Sequence, residues 1–217
     1  MRKALLRVLG ALVIGLLGLA AYQYHRLSIA HTKTEAAFAA YLDPAYDGVT
    51  WADLSAAQQR IWLSVEDPAF FDHNGVDFRS SGAGMTTITQ SLSKRLYFDP
   101  FKPGFAKLEQ SLIAIRVITP RIPKEVQLTA ALDLFWFGRG ESGALIGFDA
   151  AARAFFDVPL TQTSNAQFTQ LVAMLIGPNA LPMGSPALEA RVDRIKRLLA
   201  EDCAPSDWRD VWLDGCA

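Results

Sequence analysis

Histidine and cysteine are scarce in this chain: 217 residues hold 3 His and 2 Cys. His25, His31, His73, Cys203 and Cys216 show no metal-ligand spacing, and two thiols alone cannot build a zinc site. Net charge is almost absent too, with 21 Lys+Arg against 22 Asp+Glu, so only the distribution of charge along the chain can point to partners. No stretch sustains period-two alternation, which leaves helices as the main building block. There are no internal repeats and no low-complexity linker. What the chain has is apolar residues, 51% of the total, enough for one domain of ordinary size with a real core.

Arg2, Lys3 and Arg7 precede an apolar run from Val8 to Tyr22. Counted from Ala4, the run approaches the ~20 residues that a bilayer-spanning helix needs. A cationic flank keeps that end cytoplasmic and puts the rest outside. A cleaved signal peptide is the rival reading, with Gly18 and Ala20 as its small residues. Tyr22 and Tyr24 read instead as interfacial aromatics of a retained anchor. The expected division is an anchor over 1–26, a juxtamembrane helix and connector over 27–49, a folded domain over 50–202 and a tail over 203–217. Outside the cytoplasm, Cys203 and Cys216 can close a disulfide loop around Trp208 and Trp212. Two free thiols are the alternative.

Thr50 and Asp53 form a capping box ahead of an amphipathic run with Leu54, Ile61 and Val65 on one stripe. Ile88, Leu92 and Leu96 repeat at four-residue spacing, and Leu108, Leu112 and Ile115 do much the same. Pro123 suits the first turn of a helix running to about Trp136. Ser164 and Gln167 make a second capping box, and Ser185 and Pro186 start a last long helix with Leu188, Val192, Ile195 and Leu199. Loops are expected over 80–84, 99–104, 138–147 and 177–185. The domain reads as mostly α.

Three features carry chemistry. Glu66 and Asp67 stand where a helix is predicted to end, followed by Phe70, Phe71, His73 and Gly75. A carboxylate walled by aromatics is desolvated toward the range of a general base, whereas an ordinary acidic helix end is solvated. "GMTTITQSLSKR", Gly84 to Arg95, follows a glycine loop and opens a helix with Thr86, Thr87, Thr89, Gln90, Ser91 and Ser93. Helix starts of this kind bind phosphates, or are simply capped; Lys94 lies one turn beyond Gln90 on the same face. From Arg79 to Lys124 the basic residues are Arg79, Lys94, Arg95, Lys102, Lys107, Arg116, Arg121 and Lys124, against Asp99 and Glu109 alone. Such a segment suits a phosphate-bearing lipid substrate, or plain attraction to anionic headgroups. No nucleic-acid motif is present.

Together these pieces resemble the family 51 glycosyltransferases, which include monofunctional transglycosylases and the glycosyltransferase domains of class A penicillin-binding proteins. "EDPAFFDHNG", Glu66 to Gly75, matches every fixed position of that family's EDxxFxxHxG motif. "GMTTITQSLSKR" is similar to GxSTITQQLxKN, and "PKEVQLTAALDLFWFG", Pro123 to Gly138, to SKDEILELYLNxxYFG. A further likeness runs from Gly147 to Leu175. The resemblance implies a lysozyme-like, mostly α glycosyltransferase domain behind a transmembrane helix. It implies polymerisation of lipid II into glycan strands with loss of undecaprenyl pyrophosphate. Carried over, Glu66 is the general base on the acceptor 4-hydroxyl and Glu109 the second carboxylate. Asp67, Phe70, His73, Thr86, Thr87, Gln90 and Lys94 belong to the substrate-binding motifs, and Lys102 and Lys107 are the nearest further cations. No tightly bound cofactor is implied, although a divalent magnesium or manganese ion fits beside the pyrophosphate. Implied partners are lipid II, the nascent glycan, the inner membrane and other cell-wall synthases, with the domain on the periplasmic side.

The sequence also departs from the family. The segment between the first two motifs is shortened, with only four residues between Asp77 and Gly82. Of the third motif, RKxxE, the two cations are replaced by Phe105 and Ala106, and Lys107 is one residue off, about 100° around a helix. Ser91, Arg95 and Asp133 replace a Gln and two Asn, and the stretch from Glu109 to Pro123 needs extra residues, expected in the Thr119–Pro123 turn. Too little chain follows Gly177 for a transpeptidase domain, so the expectation is a monofunctional protein. Two other classes compete: a membrane-anchored scaffold that binds lipid II without turnover, and a glycan-cleaving enzyme using two carboxylates in a lysozyme-like cleft.

Overall fold

The computed structural model describes residues 2–82, 84–140 and 143–217. Ala83 in the glycine loop, and residues 141–142 within the expected 138–147 loop, lie outside them. Helix α1 spans Arg2–Leu42, 41 residues without a break. At 1.5 Å per residue this is about 60 Å, roughly twice the hydrocarbon thickness of a bilayer. One 18-residue window, of mean hydropathy 2.3, is long and apolar enough to cross a membrane, and none of it is buried in the protein. Burial begins at Gln23 and continues through Ala30, Thr34 and Phe38, the last fully enclosed. The expected boundary near residue 26 is therefore not a joint. The same helix leaves the apolar segment and packs into the domain, and Thr34 and Tyr97 share a hydrogen bond between their hydroxyls of 2.8 Å.

A 3₁₀ turn, Trp51–Asp53, follows. The Thr50–Asp53 box caps this turn rather than the amphipathic helix, because a second box, Ser55–Gln58, starts α2 (Ala56–Glu66). Next come α3 (Ile88–Tyr97) and α4 (Phe105–Ile113), which runs into a π-helical turn, Ala114–Ile118. A π turn holds one more residue than an α turn, so extra length in this stretch is absorbed before the Thr119–Pro123 turn. Leu108 is exposed, and the buried face of α4 is Glu109, Gln110 and Ile113 instead of the expected leucine stripe. Helix α5 (Lys124–Leu134) leads to a hairpin, β1 (Trp136–Gly140) and β2 (Gly143–Ile146), antiparallel with Arg139 opposite Ala144. A loop was expected here. Helices α6 (Phe148–Phe156), α7 (Asn165–Met174, capped by the Ser164–Gln167 box) and α8 (Pro186–Leu199, capped by Ser185) complete the fold.

The core centres on Phe148 of α6. Trp62 of α2 and Phe137 of β1 each lie 4.9 Å from its ring, and Phe168 of α7 stacks at 5.6 Å. This cluster fixes the end of α2, from which the first motif emerges. The two cysteines are joined, Cys203 to Cys216.

Candidate active site

Glu66 is the last residue of α2 and lines a cleft of about 370 Å³. Val65, Phe135, Trp136, Leu175 and Ile176 line it together with Thr86, Ser91, Lys94 and Arg95. Glu66 is half-buried, and desolvation is the largest influence on it. It raises the carboxyl to about 7, with the neighbouring Asp67 carboxylate adding to the effect and Arg191 opposing it. The aromatics that line the cleft with Glu66 are Phe135 and Trp136 of the α5–β1 junction; Phe70 and Phe71 are not among its lining residues.

The rest of the first motif faces inward. Asp67 is fully buried and caps the neighbouring helix: its Oδ2 accepts from the amide of Ile88 at 2.9 Å. His73 Nδ1 accepts from the Gly75 amide at 3.0 Å, so Nε2 carries the proton and donates to Asp67 Oδ1 at 2.8 Å. Phe70 is enclosed, with the Lys124 ammonium 4.2 Å from its ring centre and donating to the carbonyls of Phe70 and His73. Gly75 has φ +95°, and a Cβ there would sit 2.7 Å from the Ala114 carbonyl oxygen, so the turn closes against the π segment only with glycine.

The start of α3 is likewise satisfied from within. Thr87 Oγ1 accepts from Gln90 N and donates to Gly75 O at 2.7 Å; Gln90 Oε1 accepts from Thr87 N. Gln90 Nε2 donates to Ser111. With Ile88 N given to Asp67, the amides of Thr87, Ile88 and Gln90 are occupied from within, which is the capped alternative of the two readings of this helix start. The groups left facing the cleft are side chains: Thr86, Ser91, Lys94 and Arg95. Lys107 joins them from α4, its ammonium donating to Thr86 Oγ1 at 2.6 Å. Burial, and then the nearby Lys94, lower the Lys107 ammonium below its usual range. The cation read as misplaced by one residue is therefore bonded to a cleft residue, Thr86, without itself being among the lining residues. Lys102 is exposed in the turn before α4 and is not among the cleft residues.

Glu109 is not among the residues that line the cleft with Glu66. Residues two apart on a helix point about 200° apart, and Lys107 and Ser111 both face α3. Glu109 faces the other way, 5% exposed, and accepts from Arg26 Nε of α1 at 2.7 Å. Among the described residues no group of three or more His, Cys, Asp or Glu could hold a metal ion. With Glu109 ion-paired, the cleft side chains do not fit a protein-held divalent ion.

The sequence reading missed Arg191. It is 3% exposed, lines the same cleft, and its Nε and Nη1 have no hydrogen-bond partner. Burial lowers its guanidinium while the Glu66 carboxylate opposes that shift. One signal was available: in α8 it falls on the apolar stripe of Leu188, Val192 and Ile195, where a surface arginine has no place.

Comparison with known proteins follows the same outline. A model described as Transglycosylase matches residues 36–201, leaving the disulfide loop outside. The biosynthetic peptidoglycan transglycosylase of Aromatoleum aromaticum is 26% identical over 174 residues, 74% of this chain and 74% of that protein. Its namesake from Azoarcus sp. is 28% identical over 166 residues, 70% of each chain. Penicillin-binding protein 1B of Vibrio cholerae is 29% identical over 155 residues, 64% of this chain but 20% of that longer protein.

Proposed function

The chain belongs to the transglycosylase family, and on that premise we propose that it is a membrane-anchored peptidoglycan glycosyltransferase that polymerises lipid II. The apolar part of α1 spans the inner membrane with its cationic end inside, so the domain works on the periplasmic side. Glu66 takes the proton from the acceptor 4-hydroxyl. That oxygen forms the new bond to the donor's anomeric carbon, and the bond from this carbon to the pyrophosphate oxygen breaks. The electron pair leaves with undecaprenyl pyrophosphate, whose growing charge meets Lys94, Arg95, Lys107 and the Thr86 hydroxyl. No step is routed through a metal ion. Asp67, Phe70, His73, Thr87 and Gln90 act one layer back, fixing the two motifs against each other. Glu109 is assigned to the junction with α1 through Arg26, and not to the reacting atoms.

The observation that carries this reading is Glu66 itself, a carboxylate that shares one cleft with Thr86, Lys94 and Arg95 and whose carboxyl burial raises to about 7. One observation favours the scaffold reading: Glu109 is turned toward Arg26, and among the described residues Glu66 is the one carboxylate lining the cleft. Detergent-solubilised protein given fluorescent lipid II separates the two. The enzyme yields a glycan ladder, and Glu66→Gln, which keeps the shape but cannot accept the proton, lowers its rate by about 10²–10⁴-fold. Lipid II binding without any ladder would favour the scaffold, and an unimpaired Glu66→Gln would remove Glu66 as the base.

A further inference from the structure

The cleft has a wall that lies beyond the family match. After α8 the chain folds back as a loop closed by the Cys203–Cys216 disulfide, whose Cα atoms are 5.3 Å apart. Inside it, Asp210 accepts from the backbone amides of Ser206, Asp214 and Gly215 at 2.9, 2.6 and 2.9 Å. From α8, Arg194 donates to the Trp212 carbonyl and the Asp214 carboxylate, and Arg197 donates to the Cys216 carbonyl. The other edge of the loop holds the glycine segment before the second motif. Gly82 N donates to Asp207 O at 2.9 Å and Gly84 N to Trp208 O at 2.8 Å. A Cβ on Gly84 would stand 2.6 Å from Val211 Cγ1. Val211 itself lines the cleft together with Glu66 and Thr86.

This loop fills space beside the shortened connection between the two motifs. It is closed covalently, bonded to α8 on one side and to the glycine segment on the other. A growing glycan cannot displace it as it could displace a free tail. The cleft beside it, about 370 Å³, is at the small end of the ~300–1,000 Å³ usual for ligand sites.

We propose that the disulfide-closed loop 203–216 is a specificity-determining wall of the cleft: through Val211 and its grip on Gly82 and Gly84 it limits how much glycan is held beside Glu66, so that short lipid-linked strands are the preferred occupants and products. The proposal rests on the glycosyltransferase reading above.

The test compares full-length wild type, Val211→Ala and Cys203→Ser/Cys216→Ser. Strand length is read on gels from lipid II, and hydrogen exchange is read at Gly82 and Gly84. Freeing the loop is expected to speed exchange of those two amides by about tenfold or more and to shift the ladder toward longer strands. Val211→Ala keeps the disulfide, so its ladder is expected to lengthen without the exchange change. A ladder identical to wild type in Val211→Ala overturns the wall, and so does unchanged exchange in the double serine variant. Failure of the underlying reading looks different: no ladder from any of the three proteins, with the exchange comparison still deciding whether the loop grips the glycine segment.

Discussion

Ionising Glu66 costs the folded protein free energy, because the carboxylate gives up water on burial in the cleft it shares with Phe135 and Trp136. With its pKa raised from 4.5 to about 7, the folded chain holds this proton more tightly than the unfolded chain does between those values. Stability from this group is therefore full below the unfolded pKa and falls as pH rises through the folded one. Glu66→Gln is expected to melt higher than wild type at pH 8, by about 2–4 °C for each kcal/mol recovered, and to match it at pH 4. Thermal melts at the two pH values check this, and equal melting at pH 8 would mean that Glu66 is not desolvated. The residue itself was legible from the ED pair of the first motif. Its environment was not, since Phe135, Trp136 and Arg191 come from distant parts of the chain, and only the fold brings them together.

Between elements, Asp67 is the rivet joining α2 to α3. It is fully buried and holds Ile88 N and His73 Nε2 at once. Asp67→Asn keeps the shape but turns a donor toward one of these donors, which costs about 1–3 kcal/mol. Urea unfolding is expected to show that loss, and an unchanged midpoint would refute the rivet. Most helices were readable here because their caps are chemical: Ser164–Gln167 and Ser185–Pro186 start α7 and α8 where expected. The hairpin was not, since strands of 5 and 4 residues are too short for alternation to show, and three of those nine residues are glycine. The leucine spacing of α4 misled for another reason. Its polar residues Glu109 and Gln110 find partners in Arg26 and the Gln90 carbonyl, so they, rather than Leu108, occupy the inner face.

At the scale of the molecule, one unbroken helix joins the candidate membrane anchor to the domain. Phe38 is fully enclosed, and Arg26 meets Glu109 across the junction. A double-mutant cycle with Arg26→Met and Glu109→Gln is expected to give a coupling of about 1–3 kcal/mol in stability; additive effects would show that the pair does not hold the junction. The sequence located the apolar segment well, because length and hydropathy settle it. It could not show that the helix continues into the core, since Ala30, Thr34 and Phe38 are spaced like any amphipathic stripe. The disulfide was readable from two cysteines in one tail, while its place beside the cleft was not.

In the proposed reaction Glu66 acts as a base whose titration is set by the cleft around it. The most direct measurement is the rate of lipid II polymerisation against pH for wild type and Arg191→Met. Arg191 lacks partners for two of its buried donors, so methionine should be tolerated there. Because the guanidinium lowers the Glu66 pKa, its loss should raise it. The rate is expected to rise with pH to a half-maximum near 7 in wild type and at higher pH in the variant. A half-maximum in the ordinary carboxylate range, or one that Arg191→Met leaves in place, would contradict that role for Glu66.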